Sequence, residues 1–376
     1  MMRADGPVSL AILPNGWPAW FVTGYADVRA ALADPRLVKD GRKRPHRGWM
    51  PAKVNDFINT NMLNIDPPDH TRLRRLVLKA FTPRRIAALR PRVEEITSSL
   101  LDAMASRGDT ADLVQAFAFP LPVTVISELL GIPAADQQQF SAWAHTVVAT
   151  DSTYEEALVE ARQAMYDYFT SLLSAKRRSP SDDLLSALIM ARDDDESLSE
   201  PELIAMVYLL LIAGHETTVN LIANGTLALL THPGELARLR ADASLLPSAV
   251  EELLRFTGAL NHATERFTLE PTEIGGLTIP ANKLVICAIS DANRDPERFP
   301  DPGRLDLTRD ATGHVAFGHG IHYCLGAPLA RLEAEVALGA LVSRFPALSL
   351  AVPAAELRWR PSSFVHGLES LPVRLR

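Results

Sequence analysis

The stretch Phe317-Gly318-His319-Gly320-Ile321-His322-Tyr323-Cys324-Leu325-Gly326-Ala327 sets one cysteine among glycines, immediately before a long helical pattern. Glycine permits a tight turn that residues with a Cβ resist, and it lets backbone amides approach the sulfur. Pro328 suits the first turn of the helix that follows, whose partly positive end points back towards Cys324. Both features favour thiolate over thiol, so Cys324 reads as an axial metal ligand. A buried structural cysteine in a glycine-rich loop is the competing reading of a lone cysteine.

The full pattern, Phe-Gly-x-Gly-x-His-x-Cys-x-Gly, resembles the heme-binding signature of the cytochrome P450 family, with every position filled. The resemblance implies a mainly α fold with small β-sheets, with heme b held between a long central helix and the helix after the cysteine. Cys324 would be the axial ligand of the heme iron, Phe317, Gly318 and Gly326 would shape its loop, and His322 would meet a heme propionate. A thiolate ligand pushes electron density into the iron and favours O–O cleavage.

With 47% hydrophobic and 22% charged residues, 376 residues can bury a large core. No Gly/Ser linker, repeat or low-complexity tract divides the chain, so a single domain over 1–376 is expected. Two cysteines exclude a disulfide framework, and Cys287, in Leu284-Val285-Ile286-Cys287-Ala288-Ile289, reads as a small buried apolar residue. The N-terminus lacks a basic, then apolar, leader, and no segment is read as long enough to span a bilayer, so a soluble, cytoplasmic protein is expected, with no membrane partner. A net charge of −7 argues against nonspecific nucleic-acid binding. Against that sum, Arg72, Arg74, Arg75, Lys79, Arg84, Arg85, Arg90 and Arg92 lie together with no acid among them. They form either a solvated basic face or a docking face for an acidic partner. Nothing supports an obligate oligomer, and a monomer is expected.

Residues 1 to 40 read as short strands and a helix, around Trp20-Phe21-Val22 and Tyr25 to Leu32. The resemblance implies a leading helix that is expected to be shortened or missing here. Arg42 to Asn64, with Pro45, Gly48 and Pro51, reads as a long irregular loop. The resemblance makes it the roof of the substrate pocket, with Trp49, Met50, Phe57 and Met62 as contacts. His70 and Arg74 share a face of the helix that starts after Pro67-Pro68. A surface pair is the commoner explanation of that spacing, whereas the resemblance assigns both to heme propionates. Residues 84 to 190 read as helical, broken at Gly108, Pro120, Pro122, Gly131-Ile132-Pro133 and Ser179-Pro180, with a family lid over roughly 135 to 178.

Ser199 and Glu202 have capping-box spacing ahead of an apolar helix from Leu203 to about Thr231. Within it Ala213-Gly214-His215-Glu216-Thr217-Thr218 resembles the family's oxygen-activation segment. Small Ala213 and Gly214 would leave space beside the heme, Glu216 would relay protons and Thr217 would hydrogen-bond to oxygen. Glu252 and Arg255, three apart on one helix face, match the family's buried Glu-x-x-Arg pair, and Arg304 is taken as its third member. Phe267 to Ile289 reads as strands with a turn at Gly275-Gly276. Arg266 matches a further propionate ligand. Leu260 and Asn261, and Phe364 in Ser362-Ser363-Phe364-Val365, would line the pocket.

The function implied is that of a heme-thiolate monooxygenase, inserting one atom of dioxygen into a hydrophobic small molecule by hydroxylation or epoxidation. Actinobacterial members that tailor macrolides, polyketides and steroid-like molecules are the nearest resemblance. Electrons would come from NAD(P)H through a ferredoxin reductase and a ferredoxin docked on the basic proximal face. The alternatives are a catalytically silent heme protein acting as a scaffold, or the same heme chemistry ending in oxidative coupling or desaturation. Cys324, Glu216 and Thr217 are the residues a silent relative would be expected to lose.

Overall fold

In the computed structural model, residues 6–13, 16–41, 60–148, 155–191 and 196–376 are described. Trp49, Met50 and Phe57 lie outside them. The chain divides into two compact units, the first built from Met1–Val38, Thr97–Phe119 and Thr217–Arg376, the second from Lys39–Ile96 and Pro120–Glu216. Helices dominate the described residues, as expected, and every strand among them is short.

The first unit carries the strands β1 (Val8–Ile12), β2 (Pro18–Val22), β3 (Leu37–Val38), β4 (Thr110–Asp112), β5 (Arg266–Thr268), β6 (Thr272–Ile274), β7 (Leu277–Ile279), β8 (Leu284–Cys287), β9 (Ser349–Leu350) and β10 (Pro372–Arg374). They form a five-stranded sheet in the order β1-β2-β8-β5-β3, a three-stranded sheet β4-β10-β9 and the hairpin β6-β7. The run Leu-Val-Ile-Cys of β8 is buried at every position and pairs parallel with β2, Trp20 opposite Val285. An unbroken apolar run is what a strand covered on both faces requires. Cys287 is therefore a core residue, and burial pushes its thiol pKa up, away from reactivity. Gly275 and Gly276, at φ +55° and +78°, make the two-residue turn between β6 and β7.

Three sequence expectations need correction here. The strand pattern stops at Cys287, because Ile289–Ala292 turns into a short helix. Residues Thr110–Asp112 are a strand pairing with Pro372–Arg374, too short to show a period of its own. Pro120 marks the expected break, since the π-helical turn Val114–Ala118 ends before it, but Pro122 breaks nothing: it sits in the first turn of the helix Pro120–Leu129, where a missing N–H costs little. The core of this unit includes Val250, Leu253 and Leu254 of the helix Leu246–Thr257 and Ala334, Leu338 and Val342 of the helix Ala327–Arg344. That packing fixes the helix directly behind the cysteine.

The second unit is helical among its described residues. Helix starts are set by local chemistry: Thr82 Oγ1 accepts from Arg85 N at 3.2 Å, and Asp183 accepts from Ser186 N at 2.6 Å. Gly131, at φ +69°, lies where any Cβ would collide with the Asp183 carboxylate. In the stretch 135–178, where the resemblance implies a lid, the helices Gln137–Val148 and Glu155–Arg178 pack Phe140 edge-on against Phe169, with ring centroids 5.9 Å apart.

The longest helix, Glu200–Thr231, counts with the second unit as far as Glu216 and with the first from Thr217. Its start uses the expected box: Ser199 donates from N and from Oγ to Glu202 Oε2, at 2.8 and 2.9 Å. The reading that no segment reaches bilayer length is corrected by this helix, which is long and apolar enough by length and composition. Of its most apolar stretch, however, 61% is buried inside the protein.

Candidate active site

Gly318 and Gly320 take φ +73° and +75°, the left-handed region that L side chains resist, and so double the chain back before Cys324. Gly320 also lies so near the helix Tyr25–Ala33 that a Cβ would sit 2.8 Å from Leu32 O. The turn closes when Cys324 N donates to Phe317 O at 3.0 Å and Tyr323 N to Gly320 O at 3.0 Å. Cys324 is half-buried and outside any disulfide. A Cβ at Gly326 would lie 3.9 Å from its Sγ, so glycine leaves the sulfur uncrowded on that side. The helix Ala327–Arg344 begins three residues on, with Pro328 in its first turn, and its N-terminal end favours negative charge on the sulfur.

Two clusters brace this loop within the first unit. Arg255 donates from Nε and Nη2 to the two oxygens of Glu252, at 2.7 and 2.8 Å, and both side chains are fully buried. Arg255 Nη1 reaches the carbonyls of Asn293 and Pro302, each at 3.0 Å. The third guanidinium is that of Arg309, with Nε 3.2 Å from Glu252 Oε1, and not that of Arg304. Arg304 is 65% exposed and, among the described residues, its side chain pairs with the rim acid Asp306, at 3.8 Å. Asp301, at φ +49°, opens the turn that directs the backbone carbonyl of Arg304 inwards, to Arg255 and Arg309, and leaves its side chain outside.

The second cluster was not read from the sequence. Glu251 accepts from Arg331 Nε at 2.5 Å and Nη2 at 2.9 Å. His314 accepts at Nδ1 from Ala316 N, so its Nε2 carries the proton and donates to Glu251 Oε2 at 3.2 Å. Burial alone would raise the Glu251 pKa, but the bonds from Arg331 and His314 outweigh it and hold the carboxyl down at about 2. Arg331 also lies over the Phe317 ring, 4.6 Å from its centroid, so the residue that opens the loop is clamped by charge and by cation–π contact. The only sequence trace of this arrangement is the doubled acid Glu251-Glu252.

On the helix Glu200–Thr231, Ala213 is exposed and Gly214 and Thr217 are half-buried, whereas Leu211, His215, Glu216 and Thr218 are buried. One face of an otherwise sunken helix is open at the small residues and the hydroxyl. A Cβ at Gly214 would come within 3.3 Å of Ile126 Cδ1, so glycine also permits close packing on the other side. His215 is held by its own helix, Nδ1 donating to Leu211 O at 2.8 Å.

His70, in the helix Asp69–Ala80, is 2% exposed. Burial first, then the positive charges of Arg74 and Lys39, depress its pKa from 6.5 to about 4, with Asp66 pulling the other way. Because the folded value lies below the unfolded one, the stability that goes with a neutral His70 is whole above pH 6.5 and is lost as pH falls towards 4. Heme-stripped protein is expected to lose stability in that window, on the order of 1–2 kcal/mol once solvent screening is allowed for, a loss that a His70→Asn variant would not show. A carboxylate seated beside His70 would raise its pKa and flatten the dependence. Thermal melts at pH 7 and pH 4.5, with and without heme, check both statements.

Arg266 opens β5 almost fully buried, its Nη1 donating to Thr264 O at 3.1 Å, and His322 ends the turn Gly320–His322 half-buried. Within the first unit, the half-buried Cys324 thiol at a helix N-terminus, the glycines that keep space beside it and the buried Arg266 guanidinium fit the anionic heme that the resemblance implies. Leu260, Asn261 and Phe364 are brought together: Leu260 bridges Val365, Asn261 N donates to Phe364 O at 2.9 Å, and Asn261 Nδ2 to Ser363 O at 3.1 Å. Met62 is buried in the second unit. The basic run of 72–92 is less bare than its sequence suggests. Arg72 meets Glu202, Arg75 meets Glu196, Arg85 meets Asp182, Arg90 meets Glu94, and Arg92 meets Glu95 and Glu128.

Comparison with known proteins places these residues in company. A family profile described as Cytochrome P450 matches residues 123–351. The Saccharopolyspora erythraea protein named Cytochrome P450 107B1 is 52% identical, over 99% of this chain and 93% of its own length. The protein of Streptomyces venezuelae named Cytochrome P450 monooxygenase PikC is 50% identical, over 100% of this chain and 89% of its own. Among solved structures, the Bacillus subtilis bacillaene polyketide synthase cytochrome P450 PksS superposes with a TM-score of 0.94 at 43% identity, covering 100% of this chain and 95% of that one.

Proposed function

The chain belongs to the cytochrome P450 family and is a monooxygenase of small molecules, and from that premise we propose the roles of its residues. Cys324 ligates the heme iron as thiolate. His70, Arg74, Arg266 and His322 hold the propionates, and Phe317, Gly318 and Gly326 shape the loop. The bound heme supplies the electron transfer and oxygen chemistry of the family. Ala213 and Gly214 leave room on the open helix face for dioxygen and substrate. Glu216 carries protons inwards, and the Thr217 hydroxyl holds and orients them at the reaction centre. The observation that carries the reading is the half-buried Cys324 thiol, in a glycine turn at the start of the helix Ala327–Arg344.

The substrate we propose is a hydrophobic macrolide- or polyketide-type molecule, hydroxylated or epoxidised as a step of secondary metabolism. Supporting this are the polyketide context named for PksS and the contact of Leu260 and Asn261 with the turn Ser362–Val365. Electrons are proposed to come from NAD(P)H by way of a ferredoxin reductase and a ferredoxin, with the protein working as a monomer in the cytoplasm, where Cys324, outside any disulfide, stays reduced. Because so many arginines of 72–92 already face carboxylates, ferredoxin affinity should fall only gently with salt.

The test is the absorption spectrum of the reduced, carbon-monoxide-treated protein, followed by ligand titration of the ferric form. The band for which the family is named is expected, and true substrates should shift the ferric iron to high spin. A histidine-type band in fully heme-loaded protein would overturn the thiolate. In turnover, Thr217→Val and Glu216→Gln should each lower product formation roughly 100-fold while peroxide release rises. Product and peroxide measured against NAD(P)H consumed decide it.

A further inference from the structure

We propose that Asn220 and Asn224 of the helix Glu200–Thr231 are positioning residues that fix the substrate-facing block Leu260, Asn261 and Phe364 relative to Thr217. The inference rests on the reading of that block as pocket lining. Asn220 and Asn224 stand one and two turns after Thr217, on the same side of the helix, and each is 1% exposed. Buried amides are costly in a helix core unless they serve a directional contact, and both meet the backbone of His366-Gly367.

Asn224 Nδ2 donates to His366 O at 2.7 Å. At Gly367 a Cβ would stand 2.7 Å from Asn220 Cγ and 3.1 Å from its Nδ2. Gly367 is not among the glycines of positive φ, so its glycine is required for space and not for conformation. Asn224 Oδ1 has no hydrogen-bond partner among the described residues.

What the two amides grip is a connected block. His366 N donates to Ala259 O at 2.8 Å, and the Leu260–Val365 bridge and the Asn261 bonds to 363 and 364 follow directly. Val365 N bonds to Ser362 Oγ at 3.0 Å, closing the turn on itself. Behind, Trp359 stacks on the His366 ring at 4.2 Å and Arg360 N donates to Gly367 O at 2.9 Å. Shifting His366 and Gly367 along the helix would therefore carry Leu260, Asn261 and Phe364 together. A hydrogen bond has direction and register that apolar packing lacks, so the amides set the height of the block.

The test uses the full-length, heme-loaded ferric protein and two spectroscopic probes, imidazole and the larger 4-phenylimidazole. Asn224→Asp keeps the shape but removes the donor. It should shift the Kd of 4-phenylimidazole by about fivefold, the effect of one lost hydrogen bond. The Kd of imidazole should stay within about twofold, and the reduced carbon monoxide band should be unchanged. Gly367→Ala, whose Cβ would push against the Asn220 side chain, should perturb 4-phenylimidazole binding in the same selective way. If Gly367→Ala does not fold, the Asn224→Asp comparison still decides. Equal changes for both probes, no change, or loss of the carbon monoxide band would each overturn the inference. Phe364→Ala separates it from its premise: no response there removes the pocket reading and the inference with it, whereas a response there with none from Asn224→Asp overturns the inference alone.

Discussion

Exchanging Cys324 for histidine is expected to leave a protein that still takes up heme but has lost the family's band in the reduced carbon monoxide spectrum. Its turnover should fall below about one part in a thousand of the parent, a loss of roughly 4 kcal/mol of transition-state stabilisation. The reason lies in the ligand's charge. A thiolate pushes electron density towards the iron and a neutral imidazole does so less. The loop suits the anion: Cys324 stands just ahead of the positive end of the helix Ala327–Arg344, and the glycine at 326 adds no side chain beside the sulfur. Cys324→Ser tests the same point with a smaller group, since a serine hydroxyl stays protonated where a thiol ionises. Heme content, spectrum and product formation measured on the same preparations separate loss of ligand from loss of fold. Persistence of the band in the histidine variant would sink the assignment.

The second large effect is structural. Glu252→Ala is expected to destabilise the protein by about 3–5 kcal/mol, because the fully buried Arg255 would keep its charge and lose its carboxylate. Arg309 would lose a partner in the same step, and Asp306 N its acceptor. The visible result should be low heme occupancy and a much reduced Tm, even though Glu252 is assigned no part in the chemistry. Arg304→Ala is the discriminating control: a largely exposed side chain with one distant rim acid should cost less than about 0.5 kcal/mol. Arg309→Ala should fall between them. Melting curves and heme-to-protein ratios for the three variants check the order, and a costly Arg304→Ala would contradict the buttress described here.

That misplacement of one arginine shows where sequence stops being informative. Glu252 and Arg255 are linked by helix geometry, which a spacing of three expresses directly. The third guanidinium arrives from a loop, where a turn at Asp301 decides which of two nearby arginines enters and which stays outside. The cysteine loop was legible because its glycines are demanded by backbone conformation, and Gly318 and Gly320 do adopt positive φ. Gly320 answers a second demand, close approach to Leu32, that no local pattern reveals. The strand Thr110–Asp112 is defined by a partner more than 250 residues away and carries no periodicity of its own. The Glu251–Arg331–His314 cluster was hidden for the same reason: its three members come from separate stretches and only packing unites them. The arginine-rich run misled in the opposite sense, since its counter-charges are remote in sequence and near in space.

The contact between Gly320 and Leu32 has a consequence for how the protein is made. Much of what grips the cysteine turn precedes it in the chain: the helix Tyr25–Ala33 and the buttress of Glu252, Arg255 and Arg309. On the ribosome these parts emerge first and can assemble into a mould before the thiol leaves the exit tunnel. Cofactor capture is then a late event in biogenesis, and a nascent chain arrested just ahead of Cys324 would lack the helix Ala327–Arg344 that packs behind the turn and would be colourless.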